Sequence, residues 1–66
     1  MASRLTEREH QTLQLIADRF SNKESARALG ISAETVKWHL KQLYEKLQVN
    51  GRMQAVNQAR KWQWLT

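Results

Sequence analysis

The chain has 66 residues, of which 41% are hydrophobic and 26% are charged, and its formal net charge is +5 at pH 7. This length allows one small domain, residues 1–66, and the composition is too apolar for a disordered segment. The sequence has no cysteine, which excludes disulfides and thiolate metal sites. Its apolar runs are short and no hydrophobic signal segment is present, so we expect a cytoplasmic protein that does not enter a membrane.

The net charge is divided unevenly along the chain. Residues 1–34 contain five basic and five acidic side chains, whereas residues 35–66 contain six basic side chains and one acidic side chain. A basic surface confined to one part of a protein is typical of proteins that bind a polyanion such as nucleic acid. The alternative is a basic surface that serves only solubility.

The first predicted helix covers about residues 7–19. Thr6-Glu7-Arg8-Glu9 has the pattern of a capping box, in which the first and last side chains bind each other's backbone N–H groups. An apolar stripe at helical spacing follows, with Thr12 beside it: Leu13, Ile16, Ala17 and Phe20. We expect His10 on the solvent side of this helix.

A helix-turn-helix unit is predicted to follow. Ser21-Asn22-Lys23-Glu24 is a second capping box and opens a helix of about residues 22–29. Gly30 suits the left-handed conformation that ends a helix, Ile31 is an apolar plug, and Ser32 caps the next helix. Two helices joined by a short turn that contains glycine form such a unit.

The third predicted helix, about residues 33–48, has two different faces. Its apolar positions recur at intervals of four, three and four residues: Val36, Leu40, Leu43 and Leu47. Glu34, Trp38, Lys41 and Glu45 point to the opposite side, flanked by Lys37 and Gln42. From there Lys37 and Lys41 can reach guanine O6 and N7, or phosphate, and the indole can pack on thymine methyl groups or sugars. We therefore predict that this helix enters the major groove of DNA. The alternative is a solvated lysine pair beside a tryptophan that a neighbouring element buries.

Several polar residues are candidates for contact with DNA phosphates. Lys23 lies in the first turn of the second helix, where free backbone N–H groups favour anions. Ser32 and Thr35 surround the start of the third helix, and Lys46 leaves its far end. Ser32 can instead be only a cap, and Lys46 can offset the helix dipole. For His39, on the flank of the helix, a hydrogen-bonded packing role is the expectation from the residues alone.

The fourth predicted helix covers about residues 51–61, with Asn50 as its cap. A stripe of mostly small residues runs along it: Ala55, Val56, Ala59 and Trp62. The stripe allows close approach of another helix, either from a second copy of the chain or from the first helix of the same chain. Glu9 and Arg52 are either an ion pair between the first and fourth helices or two unrelated surface charges.

No catalytic, metal or cofactor site is predicted. His10 and His39 lie on different helices without an acidic residue at ligand spacing, and the two glycines are isolated rather than part of a phosphate-binding loop. The sequence has no alternating pattern long enough for a strand. The expected fold class is therefore all-α, with four helices.

These motifs resemble the LuxR/GerE family of bacterial helix-turn-helix transcription regulators over roughly Leu5 to Leu65. The resemblance depends on the following residues: Leu5-Thr6-Glu7-Arg8-Glu9, Ser21-Asn22-Lys23-Glu24, Ile31-Ser32, Thr35-Val36-Lys37-Trp38-His39-Leu40, Tyr44-Glu45-Lys46-Leu47, Val49, Arg52 and Ala55-Val56. Residues 44–47 and 54–60 are most similar to the large MalT-type regulators of that family, and small stand-alone members of GerE type are also similar.

The resemblance implies a four-helix domain that binds double-stranded DNA with its third helix in the major groove. It implies base contacts at Lys37, Trp38 and Lys41. It implies backbone contacts at these positions: Asn22, Lys23, Ser32, Thr35, His39 and Lys46. It also implies a homodimer through the fourth helix, with contacts at Ala55, Val56 and Ala59, and RNA polymerase is a further candidate partner. Because family members usually carry a sensor domain, the chain is either an excised domain or a stand-alone regulator.

Two other functions are also compatible with the sequence. The chain could be a promoter-reading domain like those of sigma factors, or a protein-interaction bundle that uses Trp62 and Trp64 and does not bind DNA.

Three residues depart from the family pattern. Ser25 replaces a branched apolar residue, which predicts a weaker contact of the second helix, and Thr12 replaces a valine. Gln63 replaces a frequent glycine, so the fourth helix is expected to run on or to end differently.

Overall fold

Four helices follow one another in the computed structural model, which describes residues 5–65 of the chain. They are α1 (Glu7–Ala17), α2 (Asn22–Leu29), α3 (Ala33–Leu47) and α4 (Arg52–Lys61), and this part of the chain has no strand. The predicted all-α, four-helix fold class is confirmed. The helix ends differ from the prediction by one or two residues at α1, α3 and α4.

The predicted caps of the first three helices are all present. Thr6 Oγ1 accepts a hydrogen bond from Glu9 N at 3.1 Å, and Thr6 N donates to Glu9 Oε1 at 2.9 Å. Ser21 and Glu24 form the same reciprocal pair at the start of α2. Ser32 Oγ accepts from Thr35 N at 3.1 Å at the start of α3. Each cap satisfies backbone N–H groups that have no partner within the helix and contributes about 1 kcal/mol.

The turn between α2 and α3 is formed as predicted. Gly30 has a φ of 69° and a ψ of 32°, which is the left-handed conformation that glycine adopts without steric cost. Ile31 N then donates to Ala26 O at 3.0 Å and closes the end of the helix. This turn fixes where α3 starts relative to α2.

The four helices share one apolar core, and α3 contributes most to it. The buried members are Leu13, Ile16, Ala26, Val36, Leu40, Leu43, Leu47, Ala55 and Ala59. The four α3 residues among them are the predicted apolar stripe. Since one face of α3 is buried against α1, α2 and α4, its opposite face is turned toward solvent.

Helix α4 differs from the prediction in its use of small residues. Ala55 and Ala59 are 0% exposed, because their small side chains let α4 approach the core closely. They therefore pack against other helices of the same chain, which is one of the two alternatives that the sequence left open for this stripe. Val56 is half-buried, and Trp62 is 41% exposed rather than part of the packed stripe.

The two ends of α4 also differ from the prediction. Gly51, not Asn50, is the N-cap, and it makes no side-chain hydrogen bond to the helix. Instead, Asn50 N donates to Gln54 Oε1 at 3.0 Å. The helix does not run on at its other end, because Gln63 takes the left-handed conformation (φ 62°) and Trp64 N donates to Ala59 O at 2.8 Å.

Two hydroxyl groups, those of Thr12 and Ser25, are completely buried. Thr12 is 0% exposed, and its hydroxyl donates to Arg8 O at 2.8 Å. Ser25 is also 0% exposed, but its Oγ has no hydrogen-bond partner within residues 5–65. A buried hydroxyl without a partner costs free energy relative to an apolar group of the same size.

We expect Ser25→Ala to raise the free energy of unfolding by about 1 kcal/mol, because it removes an unsatisfied polar atom and introduces a better helix former. Urea denaturation followed by circular dichroism measures the change. Ser21→Ala is the matched control, since it removes a hydroxyl that caps α2 and should lower the free energy of unfolding by about 1 kcal/mol. An unchanged or lower stability of Ser25→Ala would contradict the assignment of an unpaired hydroxyl.

Candidate nucleic-acid interface

The solvent-facing side of α3 is the centre of the candidate interface. Lys37, Trp38 and Lys41 are all exposed there, and we call these three residues the recognition face. Trp38 is 57% exposed, whereas Val36 on the other side of the same turn is 0% exposed. The alternative of an indole buried under a neighbouring element is thereby excluded.

The two lysines of the recognition face form no ion pair within residues 5–65. Within residues 5–65, the only ion pair joins Lys46 to Glu9. Lys37 and Lys41 therefore have no carboxylate partner in the described part of the chain, and the same holds for the exposed Lys23 at the start of α2. Unpaired cations on one surface are suited to phosphates and to the acceptor atoms of guanine.

His39 contacts the indole of the recognition face. The ring centroids of Trp38 and His39 are 5.3 Å apart with an interplanar angle of 69°, which is an edge-to-face arrangement. His39 is half-buried, so it restricts the rotamers of the more exposed Trp38. Such a ring pair contributes about 0.5–1.5 kcal/mol. The packing role expected for His39 from the sequence is consistent with this geometry.

Two hydroxyl groups meet at the start of α3. Ser32 Oγ and Thr35 Oγ1 are 2.8 Å apart, and Ser32 Oγ also accepts from Thr35 N. Whichever hydroxyl donates within the pair, the other keeps a hydrogen that it can donate to an outside acceptor. Ser32 therefore caps α3 and can also donate a hydrogen bond to a DNA phosphate, and the two roles do not exclude each other.

The start of α2 is tied to the start of α4. Arg52 Nη2 donates to Asn22 Oδ1 at 2.6 Å, and Arg52 Nη1 donates to Phe20 O at 2.7 Å. The Glu9–Arg52 ion pair, one of the two alternatives that the sequence left open, is therefore not formed, because Arg52 binds the α1–α2 connection instead. Sequence reasoning missed the Asn22–Arg52 contact because thirty residues separate the two positions and no local pattern connects them.

Glu9 has a different partner at the other end of the interface. Lys46 Nζ donates to Glu9 Oε1 at 2.7 Å, and only 7% of the Glu9 side chain and 28% of the Lys46 side chain are exposed. The same oxygen also accepts from Thr6 N. Lys46 therefore joins α3 to the cap of α1, a structural role that the sequence reading did not give it.

The pKa of Glu9 lies below its ordinary value of 4.5. Burial acts to raise the pKa of this carboxyl group, but the hydrogen bond and charge of Lys46 and the hydrogen bonds from Thr6 together outweigh burial. Glu9 is thus ionised in the folded protein at neutral pH, and its charge is compensated inside the structure.

Residues 5–65 contain neither a candidate metal site nor a candidate membrane-spanning helix. No group of three histidine, cysteine or acidic side chains in this span is placed to hold a metal ion. None of the helices in it combines the length and the apolar character needed to cross a bilayer.

The sequence and the fold both match known proteins over most of the chain. Residues 3–59 match the family described as bacterial regulatory proteins of the luxR family. The transcriptional regulator MalT of Yersinia pestis (strain Pestoides F) is 46% identical over 59 residues, which are 89% of this chain and 6% of that protein. MalT of Serratia proteamaculans (strain 568) is 47% identical over 57 residues, 86% of this chain and 6% of that protein.

The chain belongs to the LuxR family of bacterial regulatory proteins. Among solved structures, the transcription factor GerE superposes with a TM-score of 0.87 at 35% identity, over 94% of this chain and 92% of GerE. The response regulator ChrA of a heme-sensing two-component system superposes with a TM-score of 0.92 at 38% identity, over 96% of this chain and 31% of ChrA. The predicted resemblance is confirmed, and the chain is a helix-turn-helix domain of the kind with which transcription regulators bind DNA.

We expect the stability of this LuxR-family domain to decrease in acid in part through Glu9. Because the pKa of Glu9 is lowered on folding, its contribution to stability is present above its ordinary pKa of 4.5 and is lost as the pH falls through the lowered pKa. As the pH falls from the ordinary pKa through the lowered pKa of Glu9, the free energy of unfolding should therefore fall less steeply for Glu9→Gln than for the unmodified protein.

Urea denaturation at a series of pH values measures this difference. Glu45→Gln is the matched control, because it removes an exposed carboxylate from α3 and should leave the slope nearly unchanged. Equal slopes for the unmodified protein and Glu9→Gln would show that the Glu9–Lys46 pair does not contribute to the acid sensitivity.

Proposed function

We propose that the chain binds double-stranded DNA sequence-specifically, with α3 in the major groove, as part of a transcription regulator in the bacterial cytoplasm. The observation that carries this proposal is the recognition face, which is basic, aromatic and exposed on a helix whose other face is fixed in the core. A major groove admits one α-helix, and a helix held by a small rigid domain can bring its outer side chains to base edges.

Each residue of the recognition face has a proposed role. Lys37 and Lys41 are one helical turn apart and would donate to guanine O6 and N7. Trp38 lies between them and would pack on thymine methyl groups or on sugars. Its contact with His39 supports this role, because a restrained indole loses less conformational entropy on binding.

Phosphate contacts would position the domain on the duplex. The proposed set consists of Asn22, Lys23, Ser32, Thr35, His39 and Lys46. Four of these residues lie at the starts of α2 and α3, where backbone N–H groups and helix dipoles favour anions. Lys46 is the least supported member, because its ammonium group already binds Glu9.

Membership of the LuxR family favours transcription control over the two other functions that the sequence left open. The MalT and GerE relatives are named as a transcriptional regulator and a transcription factor, and neither is a sigma factor. The exposed Trp62, in edge-to-face contact with Trp64, is the feature that a protein-interaction role would use. We propose RNA polymerase as a further partner of the chain. We also propose that the chain has no catalytic activity.

We also propose a homodimer through α4, but on a different face from the one predicted. With Ala55 and Ala59 buried, a groove of about 750 Å³ between the end of α1 and α4 presents Phe20, Met53 and Val56. Met53 is 77% exposed and forms part of the lining of this groove together with the other two apolar side chains. A second copy that covered this surface would remove it from water and place two α3 helices on one duplex.

We expect Lys37→Ala and Lys41→Ala each to weaken binding to the preferred duplex by about 1–3 kcal/mol, because each removes a base contact. The preferred duplex is obtained by selection from random sequences, and affinity is measured by fluorescence anisotropy at fixed salt. Lys61→Ala is the matched control, since it removes an exposed lysine from α4 and should change the affinity much less. Unchanged affinity of both α3 variants would contradict the proposed role of the recognition face.

We expect Met53→Glu to abolish cooperative binding to a duplex with two half-sites while it leaves the affinity for a single half-site nearly unchanged. The reason is that a carboxylate would have to be desolvated in the proposed dimer contact. Titration of one-site and two-site duplexes measures both quantities. Gln58→Glu adds the same charge to another side of α4 and should keep the cooperativity; equal loss in both variants would argue against a specific contact at Met53.

A further inference from the structure

Arg52 occupies an unusual position among the basic residues of the chain. It is the first residue of α4, and both of its guanidinium contacts are made to the α1–α2 connection rather than to a carboxylate. The distances of 2.7 Å to Phe20 O and 2.6 Å to Asn22 Oδ1 lie at the short end of hydrogen bonds with a charged donor. Within residues 5–65, Arg52 is therefore not held in place by an ion pair with a carboxylate.

The contact with Asn22 determines which way the Asn22 side chain points. A side-chain amide has one acceptor, Oδ1, and one donor group, Nδ2, which diverge from the same carbon. Because Arg52 can only donate, Oδ1 must face Arg52, and Nδ2 with its two hydrogens must face away. Within residues 5–65, Nδ2 has no hydrogen-bond acceptor, and the Asn22 side chain is half-buried.

The bond to Phe20 O makes the arrangement stiff. Since Nη1 binds a main-chain carbonyl two residues before Asn22, the guanidinium plane cannot swing without breaking that bond. The planar fork of arginine reaches both acceptors at once, whereas the ammonium group of lysine lacks this fixed geometry. Arg52 therefore holds the amide in one orientation relative to the backbone at the start of α2.

We propose that Arg52 is a positioning residue for DNA binding, which fixes the Asn22 amide so that Nδ2 donates to a DNA phosphate. This inference rests on the proposed function, in which Asn22 is a phosphate contact at the start of α2. Without Arg52, the amide could rotate and present Oδ1, which repels a phosphate, as readily as Nδ2. Arg52 thus acts through Asn22 and does not itself contact DNA.

A double-mutant cycle on DNA affinity tests this inference. Arg52→Lys keeps the charge but not the fork, and it should weaken binding to the selected duplex about three- to tenfold, the range of one net hydrogen bond. Asn22→Ala should weaken binding by a similar factor. In the Asn22→Ala background, Arg52→Lys should have almost no further effect, because the group that it positions is gone.

The salt dependence gives a second readout. A lysine or arginine that contacts phosphate directly releases a counterion, so its removal lowers the slope of log affinity against log salt by about 1. Arg52→Gln removes the positive charge, and the slope should stay unchanged if Arg52 acts only through the neutral amide of Asn22. A lower slope for Arg52→Gln would mean that Arg52 contacts phosphate directly, which overturns the inference.

Two further variants separate positioning from a simple loss of fold. Asn22→Asp keeps an acceptor for Arg52 and should keep the thermal stability, but it replaces the Nδ2 donor by an oxygen and should weaken DNA binding more than Asn22→Ala. Leu13→Val removes one methylene group from the core and touches none of the proposed DNA contacts, so its DNA affinity should stay close to that of the unmodified protein. If Leu13→Val lost as much affinity as Arg52→Lys, a general loosening of the fold would account for both, and the inference would be overturned.

The outcomes distinguish this inference from the proposed function. If Lys37→Ala weakens binding but Asn22→Ala does not, the proposed role of the recognition face is retained and the role of Arg52 is overturned. Equal effects of Arg52→Lys in the two Asn22 backgrounds also overturn it. If neither Lys37→Ala, Lys41→Ala nor Asn22→Ala changes the affinity, both the proposed function and this inference fail.

Discussion

Burial of one face of α3 is the constraint on which the rest of the structure depends. Val36, Leu43 and Leu47 are completely buried and Leu40 is 5% exposed. Each such side chain contributes about 1.5–3 kcal/mol by leaving water, which is a large share of the stability of so small a domain. Rotation of α3 about its axis would expose these side chains and bury Lys37 and Lys41. The recognition face is therefore oriented by the hydrophobic effect, and no contact of its own is needed to point it outward.

Hydrophobic burial fixes the rotation of α3 but leaves its position along the axis to polar contacts. At the start of the helix, the left-handed Gly30 and the Ser32 cap determine where α3 leaves the turn. Near its end, the bond from Lys46 to Glu9 joins it to the cap of α1. These contacts are directional, so they resist sliding and tilting that an apolar surface alone would tolerate. A helix held at both ends can present side chains to DNA at a fixed spacing.

The features that sequence reasoning predicted correctly are those that a short stretch of chain determines. Both capping boxes, the glycine that ends α2 and the apolar stripe of α3 each depend on residues within one or a few helical turns. The polar contacts between helices were not predictable in this way. Glu9 had Arg52 and Lys46 as chemically similar candidates, and the choice depends on how α3 and α4 cross α1, which no local pattern encodes.

The alanines of α4 illustrate a second kind of ambiguity. A stripe of small residues allows close helix packing, but it does not say whether the other helix belongs to the same chain or to a second copy. Ala55 and Ala59 are core residues, because their small side chains let α4 pack closely on the other helices of the same chain. The groove beside Met53 and Val56 could be recognised only after the inner face of α4 was known.

Helix α4 then connects features that are distant in the sequence. Its inner face packs on the core, its outer groove is the proposed dimer surface, and its first residue, Arg52, binds Asn22 at the start of α2. Because α4 is one continuous helix of ten residues, its core residues, its groove residues and Arg52 lie on a single element. A change in the placement of α4 would therefore alter the core packing, the groove and the contact with Asn22 together.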